Sequence, residues 1–173
     1  MKPNELPPSG AVVISTEEAC SQKNVIAQVE PYTLYVASSN KRARAPLPDG
    51  AFRAQLEVIS APSLVAEGTL IEMRVKVRNI SDTTWPGCER GSSNLQIYLG
   101  SHWLDANGKW SREEGRTPLR DDLGPGKEAI LKFALNAPTA PGDYNIELDL
   151  LQEGITWFAI KGSTPTVIKI HVE

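Results

Sequence analysis

The chain is poor in the residues that bind metals, form disulfides or carry out catalysis. Two cysteines, Cys20 and Cys88, and two histidines, His102 and His171, are scattered over 173 residues. A small secreted domain held by disulfides has a denser cysteine set, so no bridge between Cys20 and Cys88 is expected. The same four residues fall at no metal-ligand spacing, and neither a metal site nor a cofactor is expected. Basic excess is missing as well. The 18 Lys and Arg against 21 Asp and Glu leave a formal charge of -3, which argues against nucleic acid as a partner. No run approaches the ~18–20 apolar residues of a membrane span. The stretch from Met1 to Pro8 lacks the apolar core of a signal peptide, so the expected location is cytoplasmic. No segment of useful length carries the 3.6-residue period of an amphipathic helix. Without a Gly-rich loop leading into a helix, a nucleotide-phosphate cradle is not expected either.

Turns and alternation are present instead. The 13 Gly and 13 Pro imply many turns between short elements. In Leu70 to Ile80, apolar Ile71, Met73, Val75 and Val77 alternate with charged Glu72, Arg74, Lys76 and Arg78. A period of two gives a strand one dry face and one wet face. Asp143 to Leu151, Ile130 to Leu135 and Ile168 to Val172 repeat the pattern. Gln55 to Ile59, Leu95 to Leu104 and Ile155 to Ile160 also read as strands. Between them fall Glu67-Gly68, Pro86-Gly87, Asn107-Gly108, Gly124-Pro125-Gly126, Ala140-Pro141-Gly142 and Glu153-Gly154. Gly supplies positive φ to such turns, Pro presets φ near -65°, and Asn-Gly is a strong hairpin signal. Seven or so short strands with one dry face predict an all-β fold, an immunoglobulin-like antiparallel β-sandwich. A doubly wound parallel sheet, apolar on both faces of its strands, is excluded. An up-and-down barrel is the second choice.

The first 50 residues differ from the rest. Short apolar patches at Ala11 to Ile14, Val25 to Val29 and Tyr32 to Val36 sit among polar, turn-prone stretches. Residues 1–50 are read as an N-terminal tail with one or two weak strands and a Pro-rich linker. Residues 51–173 are the sandwich. The run Lys41-Arg42-Ala43-Arg44 is read as a solvated part of that linker.

Catalytic arrangements are thin. Ser92 and Ser93 in Gly91-Ser92-Ser93-Asn94 lack the spacing of a nucleophile elbow. Glu113, Glu114, Asp121 and Asp122 read as acids of polar, solvated loops, not as the facing pair a glycosidase requires. A non-enzymatic protein is therefore expected.

The aromatic residues are more informative. The stretch from His102 to Trp110 reads as a hairpin with a Trp on either side of its Asn-Gly turn, followed by Arg112, Glu113, Glu114 and Arg116. An aromatic ring covers the C–H face of a pyranose, while Asp, Glu, Gln, Asn or Arg fork onto its hydroxyls. Trp103 shares the parity of Ile97 and Leu99, and is read either as a core residue or as a ligand platform; His102 then points outward. Trp85, before Pro86, is expected to close one end of the core. Trp157 and Phe158 are neighbours and point to opposite faces, so one of them leaves the core. Arg116 is expected to pair with Asp121 or Asp122. His171 reads as an exposed strand residue.

Residues 52–173 resemble the C-terminal immunoglobulin-like domains found beside bacterial sugar-handling machinery: glycosyltransferases, sugar methyltransferases and the ATP-binding subunits of O-antigen exporters. The resemblance runs through Val77-Arg78-Asn79-Ile80-Ser81 to Trp85-Pro86, His102-Trp103-Leu104-Asp105, Arg116-Thr117-Pro118-Leu119 and Leu123-Gly124-Pro125-Gly126. It continues in Pro141-Gly142-Asp143-Tyr144 and in Gln152-Glu153-Gly154-Ile155-Thr156-Trp157-Phe158. It implies a non-catalytic sandwich that binds glycan or docks a glycan enzyme. Trp103, Trp110, Arg116, Gln152, Glu153 and Trp157 would form or support the site. The expected partners are an oligosaccharide or polysaccharide, a glycosyltransferase or transporter subunit, or a second copy of the chain. The alternative is a protein–protein docking module working through a strand edge or an aromatic patch. The Trp content and sandwich pattern also resemble the four-tryptophan domain of autophagy receptors.

Overall fold

The computed structural model describes residues 24–29, 32–36, 45–88, 95–105 and 107–173, the first two segments as backbone strands only. The expectations placed on Cys20, on Ala11 to Ile14, on the 41–44 basic run and on Ser92 and Ser93 lie outside the described residues. The chain divides into two units, 1–44 and 45–173. In the first, β1 (Asn24–Val29) pairs antiparallel with β2 (Tyr32–Val36).

The second unit is an immunoglobulin-like β-sandwich. Its strands are β3 (Ala54–Ser60), β4 (Leu64–Val65), β5 (Leu70–Asn79), β6 (Ile97–Leu104), β7 (Trp110–Pro118), β8 (Glu128–Asn136), β9 (Gly142–Gln152), β10 (Thr156–Trp157) and β11 (Thr166–Val172). One sheet has the order β3-β5-β8. The other has the order β4-β11-β9-β6-β7, with β10 folded back onto the end of β9. All of these ladders are antiparallel except the short β4–β11 pair.

Alternation decides which side chains meet between the sheets. Ile71, Met73, Val75 and Val77 of β5 and Leu131, Phe133 and Leu135 of β8 face Ile97, Leu99 and Trp103 of β6 and Ile146, Leu148 and Leu150 of β9. Each such side chain, taken out of water, contributes about 1.5–3 kcal/mol. Trp85 lies in the same core, fully buried, and its Nε1–H donates to the Ala51 carbonyl at 2.8 Å. Phe158 packs edge-on against both Phe52 and Trp85, at 5.0 and 5.1 Å between centroids. Leu47 packs on this core, and Ala51 is buried in a short 3-10 turn.

Two sequence motifs have structural work. In Asn79-Ile80-Ser81, the fully buried Asn79 amide donates to the carbonyls of Thr83 and Leu123, and its Oδ1 accepts from the Ser81 N–H and Oγ. It ties the end of β5 to the loop carrying Trp85 and to the segment before β8. In Pro141-Gly142-Asp143-Tyr144, the Tyr144 hydroxyl donates to the Ala140 carbonyl at 2.9 Å. This is the corner that immunoglobulin-type folds place at the start of strand F, the position β9 occupies.

Two local expectations are corrected. Glu113 and Glu114 lie in β7, not in a loop. Their strand is polar because it is an edge strand of the second sheet, and Gly115 at φ 75° breaks its alternation. Conversely, Ile155 to Ile160 is not one strand. Only Thr156 and Trp157 pair with β9, and a 3-10 turn follows at Ala159–Lys161.

Both edges of the β3-β5-β8 sheet are met by side chains of segments from the other sheet. The Ala54 N–H of β3 donates to Ser163 Oγ, and Thr166 Oγ1 donates to the Leu56 carbonyl. Along β8, the Lys132 carbonyl accepts from Thr117 Oγ1, and the Asn136 N–H donates to Glu114 Oε1. Edges occupied in this way are poor templates for an added strand. Among the described residues, no helix is long and apolar enough to cross a membrane.

Candidate functional site

The outward face of β6, β7 and β9 carries a second aromatic group. Within β6, residues of core parity are Ile97, Leu99, Ser101 and Trp103, so Tyr98, Gly100 and His102 face out. Opposite them in the ladder stand Glu147, Asp149 and Leu151 of β9 on one side, and Glu113 and Arg116 of β7 on the other. The β9–β10 return lays Trp157 over this face. A Cβ built on Gly100 would come within 2.6 Å of Trp157 Cη2, so glycine is what lets the indole approach the sheet closely.

His102 faces outward yet is only 3% exposed. Trp110 stacks on it in parallel, at 3.8 Å between centroids and 3° between planes, and Trp157 lies against it at 4.1 Å and 53°. Its Nδ1 makes no hydrogen bond, and Glu147 Oε1 is 3.7 Å away. Burial lowers the His102 pKa below its ordinary value, against the opposing pull of Glu147 and Glu113, so the ring is held neutral.

Trp110 is 45% exposed. Its inner face rests on His102, and its Nε1–H donates to Glu147 Oε1 at 2.6 Å. Beside Trp157, the Arg116 guanidinium sits 6.0 Å from the ring centroid and is gripped by Glu113 and Glu153. Arg116 thus pairs with these two acids and not with Asp121 or Asp122. Asp122 instead accepts from the Gly87 N–H at 2.8 Å.

Asp149 lies on the same face of β9, buried to 1% exposure. Its Oδ1 accepts the Leu150 N–H and its Oδ2 the Ala159 N–H, anchoring the turn that follows Trp157. Burial pushes its pKa up to about 6, the two N–H bonds opposing the rise.

The six residues read from sequence separate in space. Trp110, Arg116, Glu153 and Trp157 meet on the outer face. Trp103 is 3% exposed on the inner side, edge-on to Tyr144 at 5.6 Å, and its Nε1–H donates to Glu114 Oε2. Gln152 is buried between two loops, donating to the Leu95 carbonyl and accepting from the Leu47 N–H. His102, Glu113, Glu147 and Gly100 were not singled out as site residues. The parity of His102 was legible, but only the strand register shows that Trp110 and Trp157 cover it. His171 is exposed and pairs with Asp143 across the β9–β11 ladder, at 2.8 Å.

A separate groove of about 490 Å3 opens beside Trp103, lined among others by Arg112, Asp143, Tyr144 and Asn145. Arg112 is bound to Glu114 at 2.6 Å, and the Trp103 ring is turned inward, so Trp103 gives this groove no open face. Among the described residues, no cluster of His, Cys, Asp and Glu could hold a metal ion, and Cys88 is a free thiol.

No protein-family model matches the chain, and no curated protein matches it. Among solved structures it is similar to the CARDB domain of a Pyrococcus furiosus protein, determined in complex with di-metal ions. That match has 19% identity and a TM-score of 0.43, covering 69% of this chain and 91% of that one. A beta-glucosidase mutant from Listeria innocua in complex with laminaribiose matches at 16% identity and a TM-score of 0.44, over 70% of this chain but 16% of that one. A beta-glucosidase from Kluyveromyces marxianus in complex with glucose matches at 15% identity and a TM-score of 0.42, over 69% of this chain and 14% of that one. At these values the similarity carries no functional information.

Proposed function

We propose that the 45–173 unit is a non-catalytic carbohydrate-binding accessory domain, of the kind that serves bacterial surface-polysaccharide synthesis or export on the cytoplasmic side. One observation carries the reading: Trp110 lies flat on a buried histidine with almost half its surface open. A ring backed on one face and free on the other is pre-organised, so it loses little freedom when a sugar stacks on it. Trp157 extends the apolar surface. Glu113, Glu153 and Arg116 hold one another at its rim, where carboxylate and guanidinium forks bind vicinal hydroxyls. Trp103 and Gln152 support the site from beneath by fixing β6 and the β9–β10 return. The resemblance to the sugar-handling domains supplies the biological setting.

Titration of the folded protein with bacterial polysaccharide fragments, followed by Trp fluorescence, tests the reading. Saturable quenching that disappears in Trp110→Ala is expected. A flat response to every fragment of a broad panel overturns it.

A second reading has support from half-exposed Val167, which stands opposite Glu147 in the ladder and widens the apolar surface. Such a patch docks proteins as well as glycans. The strand-edge form of docking is opposed at β3 and β8, whose edges are met by Ser163, Thr166 and Glu114.

A further inference from the structure

We infer that this face selects its glycan by charge, taking neutral and amine-bearing pyranose units and rejecting units that carry an acid group. The inference rests on the proposed carbohydrate function. Around the two indoles stand three carboxylates, of Glu113, Glu147 and Glu153, and one guanidinium, of Arg116. The Arg116 charge is already matched by two carboxylates. Its Nε and Nη2 are taken by Glu113 and its Nη1 by Glu153. Burial keeps His102 neutral between the indoles, so it adds no positive charge at neutral pH. Glu147 spends Oε1 on Trp110 Nε1, holding a negative carboxylate at the edge of the stacking ring. A uronate stacked there meets three carboxylates against one guanidinium whose charge they already match, whereas an ammonium group meets opposite charges.

An array of bacterial polysaccharide fragments in three classes, neutral, amine-bearing and uronate-bearing, tests this with the full chain, followed by titration of the hits at low and high salt. Binding is expected among neutral and amine-bearing fragments. The amine-bearing class should be tighter by roughly tenfold at low salt, an advantage that shrinks at high salt. In Glu113→Gln/Glu153→Gln, checked for folding by its melting curve, Arg116 is released. Uronate binding should then rise by roughly tenfold relative to neutral fragments. Uronate fragments that bind the unaltered protein as well as neutral ones overturn the charge inference and leave the carbohydrate reading standing. Binding to none of the three classes overturns that reading, and this inference with it.

Discussion

The two aromatic groups of this sandwich are built from consecutive residues and behave as opposites. Trp103 and Phe158 point into the core, while His102 and Trp157, one position earlier in each case, point out. The inner group is dry. Trp85, Phe52 and Phe158 meet edge to face, and the Trp85 N–H is satisfied by a backbone carbonyl. The outer group is half wet, stacks in parallel through His102 and Trp110, and is rimmed by ionised groups. The difference shows how one alternating pattern serves two ends. The inner face lowers the free energy of folding by excluding water on all sides. The outer face keeps one side of Trp110 open, which contributes little to folding and leaves surface for a ligand.

The largest effect expected is on the inner group. Trp85→Ala removes a fully buried ring and should lower stability by about 3–5 kcal/mol in denaturant unfolding. A loss below about 1 kcal/mol would erase the distinction between the two groups. Asp149 comes next, because it lies on the outer face yet is buried like a core residue. Its ordinary pKa of 3.8 is raised to about 6 in the fold, so the folded state holds its proton more tightly than the unfolded chain does. Stability from this group is therefore greatest below about pH 4 and falls as pH rises to about 6, by up to roughly 3 kcal/mol. His102 acts with the opposite sign. Its lowered pKa means that stability falls as pH drops below its unfolded value of 6.5. Unfolding measured from pH 4 to 7 should show the two slopes partly cancelling, and Asp149→Asn should leave the His102 slope alone. A profile for Asp149→Asn that matches the unaltered protein would refute the assignment.

Gly100→Ala sharpens the comparison from the outside. The added methyl displaces Trp157, costing about 1–3 kcal/mol and weakening sugar binding, with the Trp85 environment unchanged in near-ultraviolet circular dichroism. Trp110→Ala should cost only about 1 kcal/mol of stability. It should nevertheless weaken glycan binding at least about tenfold and let the His102 pKa climb back toward 6.5 as the ring is uncovered, read by NMR titration. An unmoved His102 pKa would show that the stack is not what shields it. The smallest change is expected from Arg116→Ala, about 0–1 kcal/mol of stability, since its ion pairs are partly exposed.

The strand pattern was readable because burial on one face forces a period of two, and β5 and β8 follow it almost residue by residue, while β9 is buried on both faces from Leu148 to Gln152. β7 was readable only through the Asn107-Gly108 hairpin turn that precedes it, not from its own pattern. Its sequence Trp-Ser-Arg-Glu-Glu-Gly-Arg-Thr-Pro has no apolar alternation, and its place is set by pairing with β6 and by Glu114 reaching Asn136. Ile155 to Ile160 failed in the other direction. It is apolar enough for a strand, but Asp149 captures the Ala159 N–H and turns the chain. The outer site was half readable. Trp110, Trp157, Arg116 and Glu153 stood out by residue type, whereas Trp103 and Gln152 stood out equally and are buried.

By itself, the sequence determined that alternate side chains of each extended segment must be dry, because apolar surface leaves water wherever the backbone allows it, and this is enough to specify a two-layer β fold. That Trp157 and Phe158 part company was also expected from the sequence, although Phe158 lies just past β10, at the start of a 3-10 turn, where strand alternation no longer applies. Only the tertiary structure decided that His102, Trp110 and Trp157 meet. Their contact depends on a register between strands distant in the chain and on the bare backbone of Gly100, and local propensity specifies neither.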